Sequence, residues 1–178
     1  MGNGSRMREV VDDVDKETEQ KIKQATEGMP KEAENFLQLE KGNATIIANY
    51  LIAYKSENDV KDSTRFNHYH YLIRFARKMN KPFIQVTSED ISTYMAGFEK
   101  SEDEDPCHQW KGTYNLFAQI ITCFFKWFCF PMLPPRERPK PDILPHIQKK
   151  SIVSKMMKYT NQAICGLWRI MRFFEVLS

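Results

Sequence analysis

The segment from His108 to Phe130 constrains the fold more than any other part of the chain, because it predicts one long helix with a broad apolar side. At about 100° per residue, the apolar residues on that side are Trp110, Tyr114, Phe117, Ile120, Ile121, Phe124, Phe125 and Phe128. This helix is expected to form the centre of the core. The polar residues on its narrow opposite strip are Lys111, Asn115, Gln119, Thr122 and Lys126. These types contact phosphates and base edges, although a plain exposed strip explains them equally well.

The segment from Asp62 to Lys81 predicts a second amphipathic helix. Its expected core face comprises Phe66, Tyr69, Leu72, Ile73, Phe75, Ala76 and Met79. Its opposite stripe comprises Ser63, Asn67, His70, Arg74, Arg77, Lys78 and Lys81, and Lys61 precedes it. Such a row of cations and hydrogen-bond donors favours a polyanion, and two helices with the same arrangement favour DNA over a merely solvated surface.

The chain before these helices is predicted in three parts. Residues 1–29 are rich in acidic and other polar types, and indicate a frayed helix or a disordered arm. A short helical pattern covers Lys31 to Lys41. Gly42 and Asn43 are expected to end it and to cap the next helix, Ala44 to Ser56.

Between the two amphipathic helices, the signals are mostly local. Pro82 is expected to stop the first of them. A weak alternation from Phe83 to Thr87 is the only strand-like pattern, and Thr87 with Asp90 predicts a capping box for a helix Ser88 to Phe98. The loop Glu99 to Asp105 carries five carboxylates, so we expect it to lie away from nucleic acid.

The C-terminal part divides into a linker and a tail. Residues 131–148 are rich in proline and carry Arg136, Arg138 and Lys140, so they predict an extended basic linker able to follow a phosphate backbone; a linker without any ligand is the alternative. Residues 149–178 have helical spacing, which predicts a short docking helix. A truncated gene read out of frame is the second interpretation of this tail.

Composition limits the classes of function. The chain has 178 residues, a net charge of +3 and 42% hydrophobic residues, enough for a core. Four cysteines without a C-x-x-C pair predict buried thiols rather than disulfides or metal ligands. Because no signal peptide or membrane span is visible, we expect a cytoplasmic, nucleoid-associated protein with no membrane partner, cofactor, metal or small-molecule substrate.

Taken together, residues 46–147 resemble the N-terminal core-binding domain of the tyrosine recombinase, or phage integrase, family, in its archaeal form. Seven motifs in order carry the resemblance: Thr45-x4-Tyr50, Ser63-Thr64, Phe75-Ala76-x2-Met79, Val86-Thr87-x-Glu89-Asp90-Ile91, Trp110-x-Gly112-Thr113-Tyr114-Asn115, Phe124-Phe125-Lys126-Trp127 and Arg138-Pro139-Lys140-Pro141. The resemblance implies a SAM-like bundle of four to five helices that lays two helices in adjacent major grooves. Double-stranded DNA and other recombinase protomers would be its partners.

The chain departs from this family where the chemistry should be. The family's catalytic domain is absent, no His-x-x-Arg motif occurs, and Tyr159 lacks the cations that a phosphotyrosine intermediate needs. We therefore expect residues 30–130 to bind DNA and the chain not to be an enzyme. Two alternatives stay open: a helical protein-interaction module, and a recombinase completed in trans by a separate catalytic domain.

Overall fold

The helices of this protein form a bundle without strands in the part of the chain that is described. The computed structural model describes residues 16–28, 33–36, 38–105 and 108–151. Its elements are α1 (16–25), α2 (Ala33–Phe36), α3 (Lys41–Asn58), α4 (Asp62–Met79), a 3-10 turn (Phe83–Gln85), α5 (Ser88–Ala96) and α6 (Trp110–Cys129). The prediction of an all-α bundle is confirmed.

Helix α6 lies at the centre of the core, as its sequence predicts. Phe117, Phe124 and Phe125 are fully buried, and α3 and α4 pack against α6 and against each other. The ring of Phe83 lies 4.9 Å from that of Phe124, and 6.1 Å from that of Phe75 on α4. The 3-10 turn therefore contributes Phe83 to the core, and the weak strand-like pattern at this place in the sequence does not form a strand.

Helix α3 begins three residues earlier than predicted, because Glu40 caps it. The Glu40 carboxylate accepts hydrogen bonds from the backbone N–H groups of Gly42 and Asn43, at 3.0 and 2.9 Å. The prediction that Gly42 and Asn43 separate two helices is wrong. Asn43 instead lies buried and joins two backbone groups: its amide donates to the carbonyl of Lys81, and its Oδ1 accepts from the N–H of Phe83, both at 2.9 Å.

The predicted boundaries of α4 and α5 hold closely. Asn80 ends α4 in the left-handed conformation, with φ of 48°, two residues before the proline that was expected to stop the helix. Thr87 and Asp90 form the predicted capping box, in which each side chain bonds the backbone N–H of the other residue. Helix α5 ends at Ala96, two residues before the predicted end, since Phe98 belongs to the following turn.

One residue of the predicted α4 core face is misplaced. Phe66 is 38% exposed, whereas Arg65 and His68 are buried. Arg65 is buried because its guanidinium donates to the carbonyl oxygen of Glu27, just after α1, and pairs with Asp62 at 3.0 Å. A charged side chain thus takes an inward position, because the turn after α1 supplies it with an acceptor.

The described part of the N-terminal arm is folded onto this bundle. Residues 16–25 are helical, and Ile22, Ala25 and Thr26 are buried. The hydroxyl of Thr18 lies 3.5 Å from that of Thr45 on α3. Residues 1–15, to which the prediction of partial disorder also applies, lie outside the described residues.

Residues 131–151 contain no helix, and they pack against the bundle at several points. Pro141 and Leu144 are buried there, as is the side chain of Arg138. The predicted tail helix lies outside the described residues.

The two described cysteines differ in exposure. Cys129 is exposed, so the prediction that its thiol is buried is wrong. Cys123 is half-buried, and burial raises the pKa of its thiol.

Candidate nucleic-acid interface

The polar stripe of α4 lies on the surface along the whole helix. Exposed side chains on it are Ser63, Asn67, His70, Arg74, Arg77 and Lys78, and Lys61 is exposed just before the first turn. Eighteen residues at 1.5 Å each make this surface about 27 Å long, which is more than twice the width of about 12 Å of a major groove. The helix therefore offers one continuous polar face.

Two cations on this face have no hydrogen-bonded or ionic partner within the described chain. No hydrogen bond or ion pair joins Arg74 or Lys78 to another described residue. Arg77 differs from them, because its guanidinium donates to Oδ1 of Asn35 and to Oε1 of Gln38, at 2.8 and 2.7 Å. Both acceptors are neutral, so the positive charge of Arg77 is not compensated by these bonds.

Lys81, at the end of the predicted stripe, is held within the fold. Its ammonium forms an ion pair with the Asp90 carboxylate, which also accepts from the N–H and the hydroxyl of Thr87. The bond from Lys81, followed by those from Thr87, lowers the pKa of Asp90 to about 2. Because Lys81 neutralises this carboxylate, we leave it out of the proposed interface.

An apolar ring lies within the α4 stripe. The exposed Phe66 stacks on His70, with 6.2 Å between ring centroids and an angle of 20° between the planes. The two side chains are four residues apart, so they occupy successive turns of the same face. An aromatic ring at this position can contact a thymine methyl group or an apolar side chain of a protein partner.

The polar strip of α6 is less accessible than that of α4. Gln119 is exposed, whereas Lys111, Thr122 and Lys126 are half-buried. Thr122 uses its hydroxyl to bond the carbonyl of Ala118, one turn earlier in its own helix, at 2.7 Å. This strip therefore presents one open amide and two partly covered cations.

Asn115, on the same strip, pairs with the C-terminal segment. Its amide donates to the carbonyl of Lys150 and its Oδ1 accepts from the N–H of Lys150, both at 2.9 Å. The ammonium of Lys150 lies 2.7 Å from the Glu99 carboxylate, and 5.3 Å from the centre of the Tyr114 ring. Since both hydrogen-bonding groups of Asn115 are used, it cannot read a base while this segment stays in place.

The three basic linker residues lie in different environments. Arg138 is buried and forms a bidentate ion pair with Glu57 on α3, in which Nη1 lies 2.8 Å from Oε2. Its Nε donates to the carbonyl of Phe130. Lys140 is exposed and donates to the carbonyl of Pro145 at 3.0 Å. Arg136 is exposed and has no hydrogen-bonded or ionic partner among the described residues. Of the three, Arg136 is the most available to a phosphate.

Acidic groups share a groove with the cations of α4. Arg74, Arg77 and Lys78 line one side of this groove, and Glu104 and Asp105 of the acidic loop also line it. A polyanion would be repelled by those carboxylates. It would therefore have to approach these cations from the side that faces away from the acidic loop.

Sequence reasoning missed a buried polar cluster between α3 and α4. The Tyr50 hydroxyl is hydrogen-bonded to Nδ1 of His68 at 2.7 Å, and the ring of Tyr54 stacks on His68 at 4.1 Å. Burial lowers the pKa of His68 to about 4 and raises that of Tyr50. The spacing of Tyr50 and Tyr54 by one helical turn is the only signal of this cluster in the sequence. The imidazole of His68 and the hydroxyl of Tyr50 are both neutral near pH 7, which indicates a structural role.

The described part of the chain shows no feature of a membrane span or a metal centre. None of its helices is both long and apolar enough to cross a membrane. No group of three or more His, Cys, Asp or Glu side chains within it is arranged to hold a metal ion. Comparison with protein-family models, curated proteins and solved structures gave no match for this chain.

Proposed function

We propose that this chain is a double-stranded DNA-binding module whose principal contact surface is the outer face of α4. The observation that carries the proposal is the continuous exposure of that face, with Arg74 and Lys78 free of hydrogen-bonded and ionic partners in the described chain. Lys61, before the first turn, extends the positive charge towards the start of the helix, and Arg77 adds to it between Arg74 and Lys78. Cations of this kind contribute most of the affinity for a duplex, by neutralising phosphates.

Within this surface, different residues have different roles. Arg74 and Lys78 bind phosphates, because charge without a fixed partner is best matched by the backbone of the duplex. Asn67, about one helical turn before His70, supplies an amide that can pair with adenine in the major groove. Phe66 adds an apolar contact beside them. On α6, Gln119 is the exposed amide, and Asn115 takes part only where the segment around Lys150 is displaced.

The order of motifs between residues 46 and 147 supports a narrower proposal of the same kind. We propose that the module acts as the core-binding part of a tyrosine site-specific recombinase, in DNA integration and recombination, with no catalysis by this chain. The described tyrosines support the last point, because Tyr50, Tyr69 and Tyr114 are buried and the other three, Tyr54, Tyr71 and Tyr94, are half-buried in the bundle. Tyr159 lies outside the described residues.

The DNA-binding proposal is tested by the salt dependence of binding to a labelled duplex. Each phosphate contact contributes about 0.9 to the slope of log K against log salt concentration. The Arg74→Ala, Lys78→Ala double variant should therefore lose about 1.8 from this slope. The matched control is Lys23→Ala with Lys55→Ala, which removes two exposed lysines from α1 and α3 outside the stripe. Equal slopes for the two double variants would refute the assignment of α4.

A protein-interaction module is the second candidate, and the groove with both cations and carboxylates favours it. Such a module would not show salt-dependent binding to a duplex, so the same salt titration separates the two functions.

The absence of catalysis is tested with a nicked suicide duplex and a denaturing gel. We expect no DNA-linked protein band; a band that disappears in Tyr159→Phe would show that the chain is an enzyme.

A further inference from the structure

A groove with an aromatic floor runs between α4, α5 and the start of α6. It has a volume of about 1260 Å³, and its floor includes Tyr94, Phe98 and Trp110. All three side chains are half-buried, so each leaves part of its ring accessible. Exposed aromatic surface that is gathered in one concave place favours an apolar ligand segment.

Cations and carboxylates both line this groove, and they are unevenly placed. Arg74, Arg77 and Lys78 belong to α4, Glu89 and Asp90 belong to α5, and the acidic loop contributes Lys100, Glu104 and Asp105. No ion pair crosses the groove between these described residues. Asp105 accepts from the backbone N–H of Trp110 at 2.9 Å, and the Glu104 carboxylate accepts from the N–H and hydroxyl of Ser101, so the hydrogen-bond partners of both carboxylates in the described chain are neutral. The loop as a whole has five carboxylates against Lys100, which leaves a net charge of −4.

The chain reaches the edge of this groove at the last residues that are described. Lys150 contacts Glu99, and its ammonium lies 5.9 Å from the centre of the Trp110 ring, which belongs to the floor. The two bonds to Asn115 hold the backbone at this place. The following residues, 152–178, therefore start beside the groove.

The composition of residues 152–178 matches that of the groove. Ile164, Leu167, Trp168 and Met171 recur at helical spacing, with Arg169 and Arg172 on the other side. Four cations (Lys155, Lys158, Arg169 and Arg172) against Glu175 make the side-chain charge +3, opposite to that of the acidic loop. Ile164 lies thirteen positions after Ser151, and at about 3.3 Å each these span up to about 43 Å, so the length of chain does not limit access.

We propose that residues 152–178 dock in the groove of the same molecule, with their apolar stripe on Tyr94, Phe98 and Trp110 and their arginines beside Glu104 and Asp105. Burial of the stripe drives this contact, because it removes apolar surface from water. The charge pattern sets its direction, because arginines turned towards Arg74 and Lys78 would be repelled. The inference is independent of DNA binding, and its test uses no DNA.

The test is cross-linking of the full-length chain through the native Cys165 of the tail. Two variants are compared after replacement of Cys107 and Cys129 by serine: Thr93→Cys, which places a thiol in the groove, and Ser92→Cys. Both positions are exposed on α5, but Ser92 does not line the groove, so it is the matched control. With a short bis-maleimide, docking should raise the intramolecular yield for Thr93→Cys about tenfold over the control, through a higher effective concentration.

A second substitution tests the role of the apolar stripe. Trp168→Asp should remove the advantage of Thr93→Cys, without loss of helix content by circular dichroism, because a carboxylate cannot be buried on the aromatic floor. Equal yields for Thr93→Cys and Ser92→Cys would overturn the proposal. So would cross-links that join two molecules only, which would identify a second copy as the source of the docked segment, or an advantage that survives Trp168→Asp.

Discussion

Arg138 should stabilise the fold through its ion pair with Glu57, although its place in the basic linker predicts a contact with DNA. The Arg138 side chain is 6% exposed and that of Glu57 is 22% exposed. Three hydrogen bonds leave the guanidinium, two to the carboxylate and one to the Phe130 carbonyl. Arg138→Ala therefore removes all three, and leaves the carboxylate without its cation.

The size of the effect follows from this geometry. Removing one partner of a fully buried ion pair costs about 3 to 5 kcal/mol, because the remaining charge stays uncompensated. Glu57 keeps part of its surface in water, which reduces that penalty, so we expect a loss of about 2 to 3 kcal/mol. In a domain of this size, that loss lowers the Tm by about 4 to 12 °C. The loss should fall mainly on the contact between the proline-rich segment and α3.

Urea denaturation of four proteins measures this loss: the parent, Arg138→Ala, Glu57→Ala and the double variant. The coupling energy of the cycle should be about 2 kcal/mol. Arg136→Ala is the matched control, since it removes an exposed arginine two residues away and should change stability by less than about 0.5 kcal/mol. If Arg138→Ala is as stable as Arg136→Ala, but binds a duplex more weakly, Arg138 is a DNA contact and its stabilising role is refuted.

Two further predictions concern buried polar groups. Asn43→Ala should cost about 2 to 4 kcal/mol by urea denaturation, because the N–H of Phe83 and the carbonyl of Lys81 lose their partner. Asn58→Ala, which removes an exposed amide at the end of the same helix, should cost much less, and equal losses would contradict this. His68 should make stability fall as pH drops from about 6.5 to about 4, because in that window the unfolded chain binds a proton that the folded chain, with a pKa of about 4, does not. The loss of stability should approach about 3 kcal/mol, and it should disappear in His68→Gln. The carboxylate of Asp90 titrates below this window, with a pKa of about 2. If stability still falls with pH between about 6.5 and about 4 in His68→Gln, His68 is not the source of the effect.

Local signals in the sequence determined most of the helices. The proline after α4, the capping box of α5 and the aromatic spacing of α6 act on residues three or four positions apart, and the structure agrees with each of them. The exposed stripe of α4 was predictable for the same reason. Its members repeat at the period of a helix, so a single helical axis places them together.

Tertiary structure alone decided which polar residues are available to a partner. Arg138 is a cation that linker composition predicted to be accessible, and Arg65 belongs to neither predicted face of α4, yet each is buried against an acceptor from a distant part of the chain. Asn115 is likewise occupied by a backbone 35 residues away. Burying a charge or an amide is tolerated only where a partner compensates for lost water, and no local pattern reveals such a partner. The fold could therefore be predicted from short-range periodicity, whereas the composition of the candidate interface depended on long-range pairs that form only when the bundle has assembled.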